Sequence, residues 1–456
     1  MTSPGASQPR AATAQPTAAR AVAADVLADL RAGMLLDPAF ERRATVLDAR
    51  DRRWTQELLY GMLRRRAWID ALLASRVSGG LARLDADVAD LLRLGANQLL
   101  SMGSVPPYAA IAQTVELTKR RHGMGASKLV NAVLRRLDRD RQEGESALAI
   151  AEPPDAIDAL ALRHSHPRWL VARWAERYGM TEAERLLAAN NAEAPVVLRP
   201  YGVTRDELQQ ELARAGVRLE MPPADAVWAP DSLRLAAGAQ LTELGAFRQG
   251  LFFVQDPAST LVTRYAAIPA DADVADLCAA PGGKTLELSR TARAVFAGDR
   301  SFVRLQRVVA NVRRLGALNV YPLVADAREP ALGPLDAVLV DAPCTGTGTF
   351  RRHPDARWRL KVSDLAVMAA LQRDILRAAA TVVRPGGLLV YSTCSLEPEE
   401  NELQVQRFLD DHAGWTLEAP PEGMVPPSVV DGGALRVLPQ RHGVDGAFAA
   451  RLRRAA

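Results

Sequence analysis

A repeated succession of short apolar strands, polar turns and helices in the second half of the chain is the strongest constraint on its fold. From about Gln255 onward, the pattern predicts strands at Val274–Leu277, Ala294–Ala297, Val320–Val324, Ala337–Val340 and Leu388–Tyr391. Helices are predicted between them at Lys284–Ser289, Phe302–Leu315 and Leu365–Val383. This alternation is typical of a parallel sheet with helices on both faces, as in Rossmann-like α/β folds.

The remainder of the chain divides into two further parts. Between residues 20 and 140 the apolar positions recur at helical spacing, which predicts an all-α N-terminal domain. We predict linker helices and a small α+β piece in residues 141–250, and the α/β domain in residues 251–456. Residues 1–19 are rich in Ala, Pro, Ser, Thr and Gln, so we predict a disordered tail there.

The composition is that of an ordinary globular protein, with 48% apolar and 24% charged residues. No stretch approaches the roughly 20 apolar residues that a membrane helix needs, and the N-terminus lacks the apolar core of a signal peptide. We therefore expect a cytoplasmic monomer that does not bind membranes. The Ala- and Arg-rich start has no acid before Asp25, and an organelle transit peptide is the alternative.

Two clusters of basic residues indicate a polyanionic partner, although the net charge is only +4. The first cluster includes Lys119, Arg120, Arg135 and Arg136. The second includes Arg351, Arg352 and His353. For the first cluster, a solvated helix face is the alternative interpretation.

Polar residues follow the predicted strands, where ligands bind in open α/β sheets. The turn after the first strand contains Cys278, Ala279, Ala280, Pro281, Gly282, Gly283 and Lys284. This turn matches neither the full phosphate-binding loop pattern nor the dinucleotide fingerprint. Asp299 is placed to accept ribose hydroxyls, and Asp326 is placed to meet an adenine amino group. A nucleoside that carries a sulfonium and no phosphates fits this set, so we predict S-adenosylmethionine rather than ATP.

The chain has three cysteines, Cys278, Cys344 and Cys394, and all of them follow predicted strands. Their odd number argues against a disulfide framework, and their spacing does not suggest a metal site. A thiolate near a methyl donor suits one reaction in particular. Addition of the thiolate to carbon 6 of cytosine turns carbon 5 into a nucleophile, which then accepts the methyl group.

Three long motifs resemble the Sun (Fmu) family of RNA cytosine-5 methyltransferases: DLCAAPGGKT, DAPCTGTGTFRRHPDARW and VRPGGLLVYSTCSLEPEENE. The similarity covers about residues 190–456. It implies a cofactor loop from Cys278 to Lys284, completed by Asp299, Asp326 and Asp341. It also implies that Cys394 is the nucleophile and that Cys344 helps to release the product, with Asp341 in the catalytic site. In DNA cytosine methyltransferases the cysteine of the Pro-Cys motif attacks instead, which is the alternative assignment.

The helical part resembles the NusB type of RNA-binding domain through the runs PPYAAI and KLVNAVLR. This combination is similar to the bacterial RsmB type, which implies a cytosine of 16S ribosomal RNA, free or in a ribosome assembly particle, as the substrate. One departure is Arg199-Pro200-Tyr201, where the family often has Arg-x-Asn. The alternatives are a transfer RNA substrate and a non-catalytic RNA-binding assembly factor.

Overall fold

The computed structural model describes residues 17–221, 227, 230–236 and 240–456 of the chain. These residues separate into two compact units, one of residues up to 180 together with 353–358, and one of residues 181–352 and 359–456. The predicted N-terminal tail, residues 1–19, lies outside the described residues except for its last three positions, and the first helix begins at Ala18.

The regular secondary structure in the described residues of the first unit is entirely helical, which confirms the predicted all-α domain. Its helices are α1 (Ala18–Arg31), α2 (Leu36–Arg43), α3 (Ala49–Arg64), α4 (Arg66–Ala74), α5 (Ala86–Ser101), α6 (Pro107–Glu143), α7 (Ala156–Arg163) and α8 (Arg168–Tyr178). The side chain of Asp48 caps α3, and that of Asp85 caps α5. The long helix α6 is interrupted at Gly123, which has a φ of 78°.

The second unit begins with the predicted small α+β piece. It contains α9 (Met180–Asn191), β1 (Val197–Pro200), α10 (Arg205–Arg214), β2 (Leu219–Glu220), β3 (Leu233–Leu235), α11 (Gly245–Arg248) and β4 (Phe252–Val254). The strands form an antiparallel sheet in the order β2-β3-β1-β4. Thr204 and Glu207 form a capping box at the start of α10.

A larger sheet follows. Its strands are β5 (Asp273–Asp276), β6 (Ala294–Asp299), β7 (Val320–Val324), β8 (Leu335–Asp341), β9 (Val383–Thr393), β10 (Trp415–Glu418), β11 (Val430–Asp431), β12 (Ala434–Val437) and β13 (Ala447–Arg454). The helices that accompany it are α12 (Pro257–Ala266), α13 (Gly283–Leu288), α14 (Phe302–Leu315), α16 (Val362–Thr381), α17 (Glu402–Asp411) and α18 (Pro439–His442). The short helix α15 (Ala356–Arg359) precedes α16 in the sequence, but all of its residues except Arg359 belong to the first unit.

The sheet is mixed, whereas the sequence pattern predicted a parallel one. Strands β7-β6-β5-β8-β9 are parallel, as predicted. Strands β13, β12 and β11 continue the sheet antiparallel, and β10 pairs with β13. The link between β11 and β12 is only Gly432-Gly433, which is far too short for a parallel crossover. The prediction was wrong here because the strand–helix rhythm describes only the strands that alternate with helices.

The sheet is covered on both faces, as the alternation predicted. Leu286 of α13 and Leu305 of α14 pack in one apolar layer, and Ile375 of α16 and Phe408 of α17 pack in the other. The chain starts the sheet at β5 and adds β6 and β7 on one side, then β8 and β9 on the other. This reversal between β5 and β8 leaves a crevice at the carboxyl ends of the strands, where open α/β sheets bind ligands.

Candidate active site

A cavity of about 230 Å³ lies at the carboxyl edge of the parallel strands. Seven residues singled out from the sequence line it: Cys278, Ala280, Asp299, Asp326, Asp341, Cys344 and Cys394. Further lining residues include Arg300, Arg304, Leu371 and Ile375. The strand ends therefore bring together side chains that are as much as 116 positions apart in the sequence.

Two of the cysteines are in direct contact in this cavity. The Sγ atoms of Cys344 and Cys394 lie 3.3 Å apart. They meet because β8 and β9 are neighbours with Asp341 opposite Ser392, so both cysteines follow the strand ends closely. The hydrogen bond with Cys394, followed by burial, raises the pKa of the Cys344 thiol. Either sulfur can donate the hydrogen in this contact.

A partly buried ion pair lies beside the cysteines. Nζ of Lys284 is 2.7 Å from Oδ2 of Asp341, whose other oxygen accepts a hydrogen bond of 2.9 Å from Oγ of Ser392. Burial by itself would lower the pKa of Lys284, but Asp341 outweighs it and raises that pKa. Lys284 therefore remains charged, and it is oriented towards the end of β8.

The glycine-rich turn, which includes Gly282 and Gly283, lies next to this ion pair. Its conformation depends on two glycines and on a hydrogen bond to the carboxylate of Asp276. Gly282 has a φ of 108°, a conformation that favours glycine, and a Cβ on Gly283 would lie 2.8 Å from Nε2 of Gln255. Thr285 donates a hydrogen bond of 2.7 Å to Oδ2 of Asp276. Because Lys284 and Thr285 are both engaged with carboxylates, the turn is not arranged to bind phosphate. Of the remaining turn residues, Ala279 is buried and Pro281 is exposed.

Two further carboxylates line the cavity at the ends of β6 and β7. Asp299 is only 3% exposed, and its Oδ1 accepts a hydrogen bond of 2.8 Å from the amide of Ser301. Its Oδ2 is 3.6 Å from Nη1 of Arg304. Asp326 pairs with Arg328 at 2.6 Å, and this contact lowers the pKa of Asp326 to about 2. Both carboxylates thus contribute hydrogen-bond acceptors to the lining of the cavity.

Comparison with known proteins identifies the family. Three family models match the chain: the NusB family at residues 17–139, the ferredoxin-like domain of RsmF/B-like methyltransferases at 166–242, and the 16S rRNA methyltransferase RsmB/F at 266–453. Ribosomal RNA small subunit methyltransferase B of Vibrio cholerae is 38% identical, over 79% of this chain and 82% of its own. The same enzyme of Pseudomonas syringae is 34% identical, over 95% and 96%.

The crystal structure of PH0851 superposes with a TM-score of 0.78 at 26% identity, and the match covers 96% of this chain and 99% of that one. This chain belongs to the RsmB/F methyltransferase family. The resemblance drawn from the sequence motifs and the predicted NusB-like domain are therefore confirmed. Membership makes the protein an S-adenosylmethionine-dependent RNA methyltransferase by family. None of the helices in the described residues combines the length and the apolar character that a membrane span requires.

In this RsmB/F protein the side chains of the first basic cluster are exposed to solvent, whereas those of the second are buried or partly buried. Lys119, Arg120, Arg135 and Arg136 are all exposed on α6. The first two precede the interruption at Gly123 and the last two follow it. These side chains are accessible to phosphate groups.

The structure corrects the prediction that Arg351 and Arg352 contact RNA. Arg351 is buried and pairs with Asp256 at 2.8 Å and also with Asp445. Arg352 pairs with the same two carboxylates at 2.6 and 2.7 Å. Two guanidinium groups and two carboxylates thus neutralise one another, so Arg351 has no means of reaching a phosphate. His353 lies in the first unit, with Nδ1 3.2 Å from Asp37.

The departure at Arg199-Pro200-Tyr201 has a structural explanation in this RsmB/F protein. Arg199 is buried, and its Nε and Nη2 donate hydrogen bonds of 2.8 and 3.2 Å to Glu287 of α13. The hydroxyl of Tyr201 is 2.9 Å from Oγ of Ser289. Strand β1 is therefore tied to the helix that follows the glycine-rich turn.

Sequence reasoning missed one fully buried carboxylate, that of Glu400. It lies in the run Glu-Pro-Glu-Glu-Asn-Glu, six residues after Cys394, and accepts hydrogen bonds from Thr345 and Ser395. The signal was an acidic run inside a recognised motif. Nothing in that run alone distinguishes this glutamate from its neighbours, because its partners follow two different strands.

Proposed function

We propose that this protein transfers a methyl group from S-adenosylmethionine to carbon 5 of a cytosine in 16S ribosomal RNA, through a covalent bond between Cys394 and carbon 6 of the base. The observation that carries the proposal is the contact of 3.3 Å between the sulfurs of Cys344 and Cys394 on the wall of the strand-end cavity. Two thiols in contact serve no evident packing purpose at a ligand edge. They suit a reaction that makes and later breaks a carbon–sulfur bond.

The residues around the cavity fit the cofactor. Asp299 offers a buried carboxylate to the ribose hydroxyls, and Asp326 offers a partly exposed one to the adenine amino group. The apolar side chains of Leu371 and Ile375 line the same cavity. The turn that begins at Cys278 completes the cradle. S-adenosylmethionine, when bound there, supplies an electrophilic methyl group.

Cys394 begins the reaction by adding its sulfur to carbon 6 of the cytosine. Cys394 first loses its proton to solvent, and the thiol of Cys344, 3.3 Å away, donates a hydrogen bond that stabilises the resulting thiolate before attack. Addition places negative charge on the pyrimidine ring. Lys284 and Asp341, 2.7 Å apart, present an ammonium and a carboxylate to the polar edge of the base, and the ammonium stabilises the developing charge.

The second half of the reaction requires the proton on carbon 5 to leave and the carbon–sulfur bond to break. A water molecule takes the proton from carbon 5, the electrons of that C–H bond restore the ring double bond, and the Cys394 thiolate is expelled from carbon 6. Cys344 is adjacent to this bond and assists the release, since it donates to the sulfur that leaves. The two cysteines thus have different roles, with attack at Cys394 and release at Cys344.

The helical unit supplies the affinity for RNA in this proposal. The exposed Lys119, Arg120, Arg135 and Arg136 contact phosphates, which are the source of most sequence-independent affinity for nucleic acids. The matches to the NusB family and to small subunit methyltransferases support ribosomal RNA as the substrate. A cytoplasmic location is consistent with that substrate.

The test is bisulfite sequencing of ribosomal RNA from cells with and without the gene. The expected result is one 16S cytosine that resists conversion only when the gene is present, restored by the wild-type gene and not by Cys394→Ala. A protected cytosine in transfer RNA alone would assign a different substrate. Unchanged protection in every RNA would indicate a non-catalytic assembly factor.

A further inference from the structure

A buried carboxylate connects the two loops that carry the cysteines. Glu400 has no exposed surface, and its Oε1 accepts a hydrogen bond of 2.9 Å from the amide of Thr345, the residue after Cys344. Its Oε2 accepts hydrogen bonds from the hydroxyl of Thr345 and from that of Ser395, the residue after Cys394. One side chain therefore holds the immediate successor of each cysteine.

The carboxylate is saturated by donors. Gln372 of α16 provides a fourth hydrogen bond, from Nε2 to Oε1 at 2.9 Å, and also donates 2.9 Å to the carbonyl of Pro343, the residue before Cys344. A carboxylate has about four acceptor sites and no hydrogen to donate. Four donors fill those sites, so the ionised form of Glu400 satisfies every group that faces it.

The backbone around Glu400 is held as firmly as its side chain. The hydroxyl of Tyr391 donates 2.6 Å to the carbonyl of Glu400. The neighbouring Asn401 accepts a hydrogen bond of 2.5 Å from the hydroxyl of Thr393 and donates 2.8 Å to the carbonyl of Ser395. The position of Glu400 is therefore fixed relative to the end of β9. Its hydrogen bonds to Thr345 hold the other loop against this position.

We propose that Glu400 is the positioning residue that sets the separation of the two active-site sulfurs. It touches neither sulfur and neither reacting atom. It acts by tethering the loop after β8 to the loop after β9, so that Cys344 and Cys394 stay in contact before RNA arrives. Because misplacement of a reacting group by about 1 Å can cost on the order of a hundredfold in rate, such a tether matters for turnover.

The separation of the sulfurs can be measured without RNA, by the rate at which they form a disulfide. Diamide takes two electrons and two protons from a pair of thiols and leaves one S–S bond, and peptide mass mapping identifies the pair joined. In the whole wild-type protein we expect rapid closure between Cys344 and Cys394. Glu400→Ala should slow this closure at least tenfold. The matched control is Glu399→Ala, which alters the preceding, partly exposed carboxylate and should close at the wild-type rate.

The variant Glu400→Gln distinguishes the effect of the negative charge of Glu400 from the effect of its hydrogen bonds. Its amide oxygen can still accept from Thr345 and Gln372, while its NH₂ can donate to the two hydroxyls, so the tether survives without the charge. Closure within about threefold of wild type is expected. Equal slowing in the Gln and Ala variants would overturn the tether, as would an unchanged rate in Glu400→Ala.

Thr345→Val removes the hydroxyl arm of the tether to the other loop, and it decides the matter if Glu400→Ala does not fold. Slower closure in Thr345→Val supports the proposal, and an unchanged rate overturns it. The turnover part of the inference rests on the proposed function: Glu400→Ala should lower kcat about a hundredfold, with KM for RNA within threefold of wild type. Because disulfide closure needs no RNA, failure of the tether and failure of the proposed reaction give different results.

Discussion

The sulfur of Cys344 lies 3.3 Å from the sulfur of Cys394, at the ends of two neighbouring parallel strands. The hydrogen bond and burial raise the pKa of the Cys344 thiol, which suits a hydrogen donor better than a nucleophile. The contact therefore agrees with the roles that the resemblance to the Sun (Fmu) family implies, with attack at Cys394 and release at Cys344.

The first prediction concerns the cofactor. Asp299→Ala removes the buried carboxylate proposed to accept both ribose hydroxyls. Loss of two charge-assisted hydrogen bonds should weaken S-adenosylmethionine binding by about 3 kcal/mol, or roughly a hundredfold. Titration calorimetry measures this, with Asp410→Ala on exposed helix surface as the control. An unaltered dissociation constant in Asp299→Ala would remove Asp299 from the site.

The strand-end residues could be predicted from the sequence because an open α/β sheet places all its carboxyl strand ends at one edge. That rule is sufficient to bring Asp299, Asp341, Cys344 and Cys394 to one cavity. It says nothing about strands that do not alternate with helices, so it did not predict that β11, β12 and β13 extend the sheet in the antiparallel direction.

The basic clusters show where sequence reasoning fails. Arg351 and Arg352 resemble a phosphate-binding run because their partners, Asp256 and Asp445, are more than 90 positions away in the sequence. Only the folded chain brings the four charges together. Glu400 was missed for the same reason, since its donors Thr345 and Gln372 come from other segments.

The second prediction concerns the exposed basic residues of α6. Replacing Lys119, Arg120, Arg135 and Arg136 by Gln should weaken RNA binding and make it less sensitive to salt. Each phosphate that the protein no longer neutralises should reduce the slope of log K against log salt concentration by about one unit. The slope is obtained from filter binding at several salt concentrations, with Arg248→Gln, an exposed arginine outside both clusters, as the control. A slope equal to that of wild type would show that α6 does not bind the phosphates.

The third prediction separates a structural arginine from an RNA contact. Arg351→Met leaves Asp256 and Asp445 buried with one cation fewer. Breaking a buried pair in this way should lower the free energy of unfolding by about 3 kcal/mol, measured by chemical denaturation. The salt slope of RNA binding should stay at its wild-type value. A reduced slope with unchanged stability would return Arg351 to the RNA interface.

The fourth prediction concerns pH. Burial raises the pKa of Asp276 to about 7, and one of its oxygens lacks a hydrogen-bond partner. The folded protein therefore holds this proton more tightly than the unfolded chain does. The stability that the proton provides is complete below about pH 4 and is lost as the pH rises towards 7.

Asp276→Asn cannot titrate at this position. Its melting temperature should therefore rise relative to that of wild type as the pH is increased from 4 to 8. Differential scanning calorimetry of the two proteins across this range measures the difference. A difference that does not change with pH would show that Asp276 is ionised in the folded protein throughout.

The central claim, that Cys394 attacks and Cys344 releases, is tested by a denaturing gel of enzyme incubated with RNA and S-adenosylmethionine. Cys344→Ala should attack and methylate but fail to release, so a protein–RNA adduct should accumulate and survive denaturation. Cys394→Ala and the double variant should form no adduct, because trapping requires attack. An adduct in Cys394→Ala and none in Cys344→Ala would contradict the account and exchange the roles of the two cysteines.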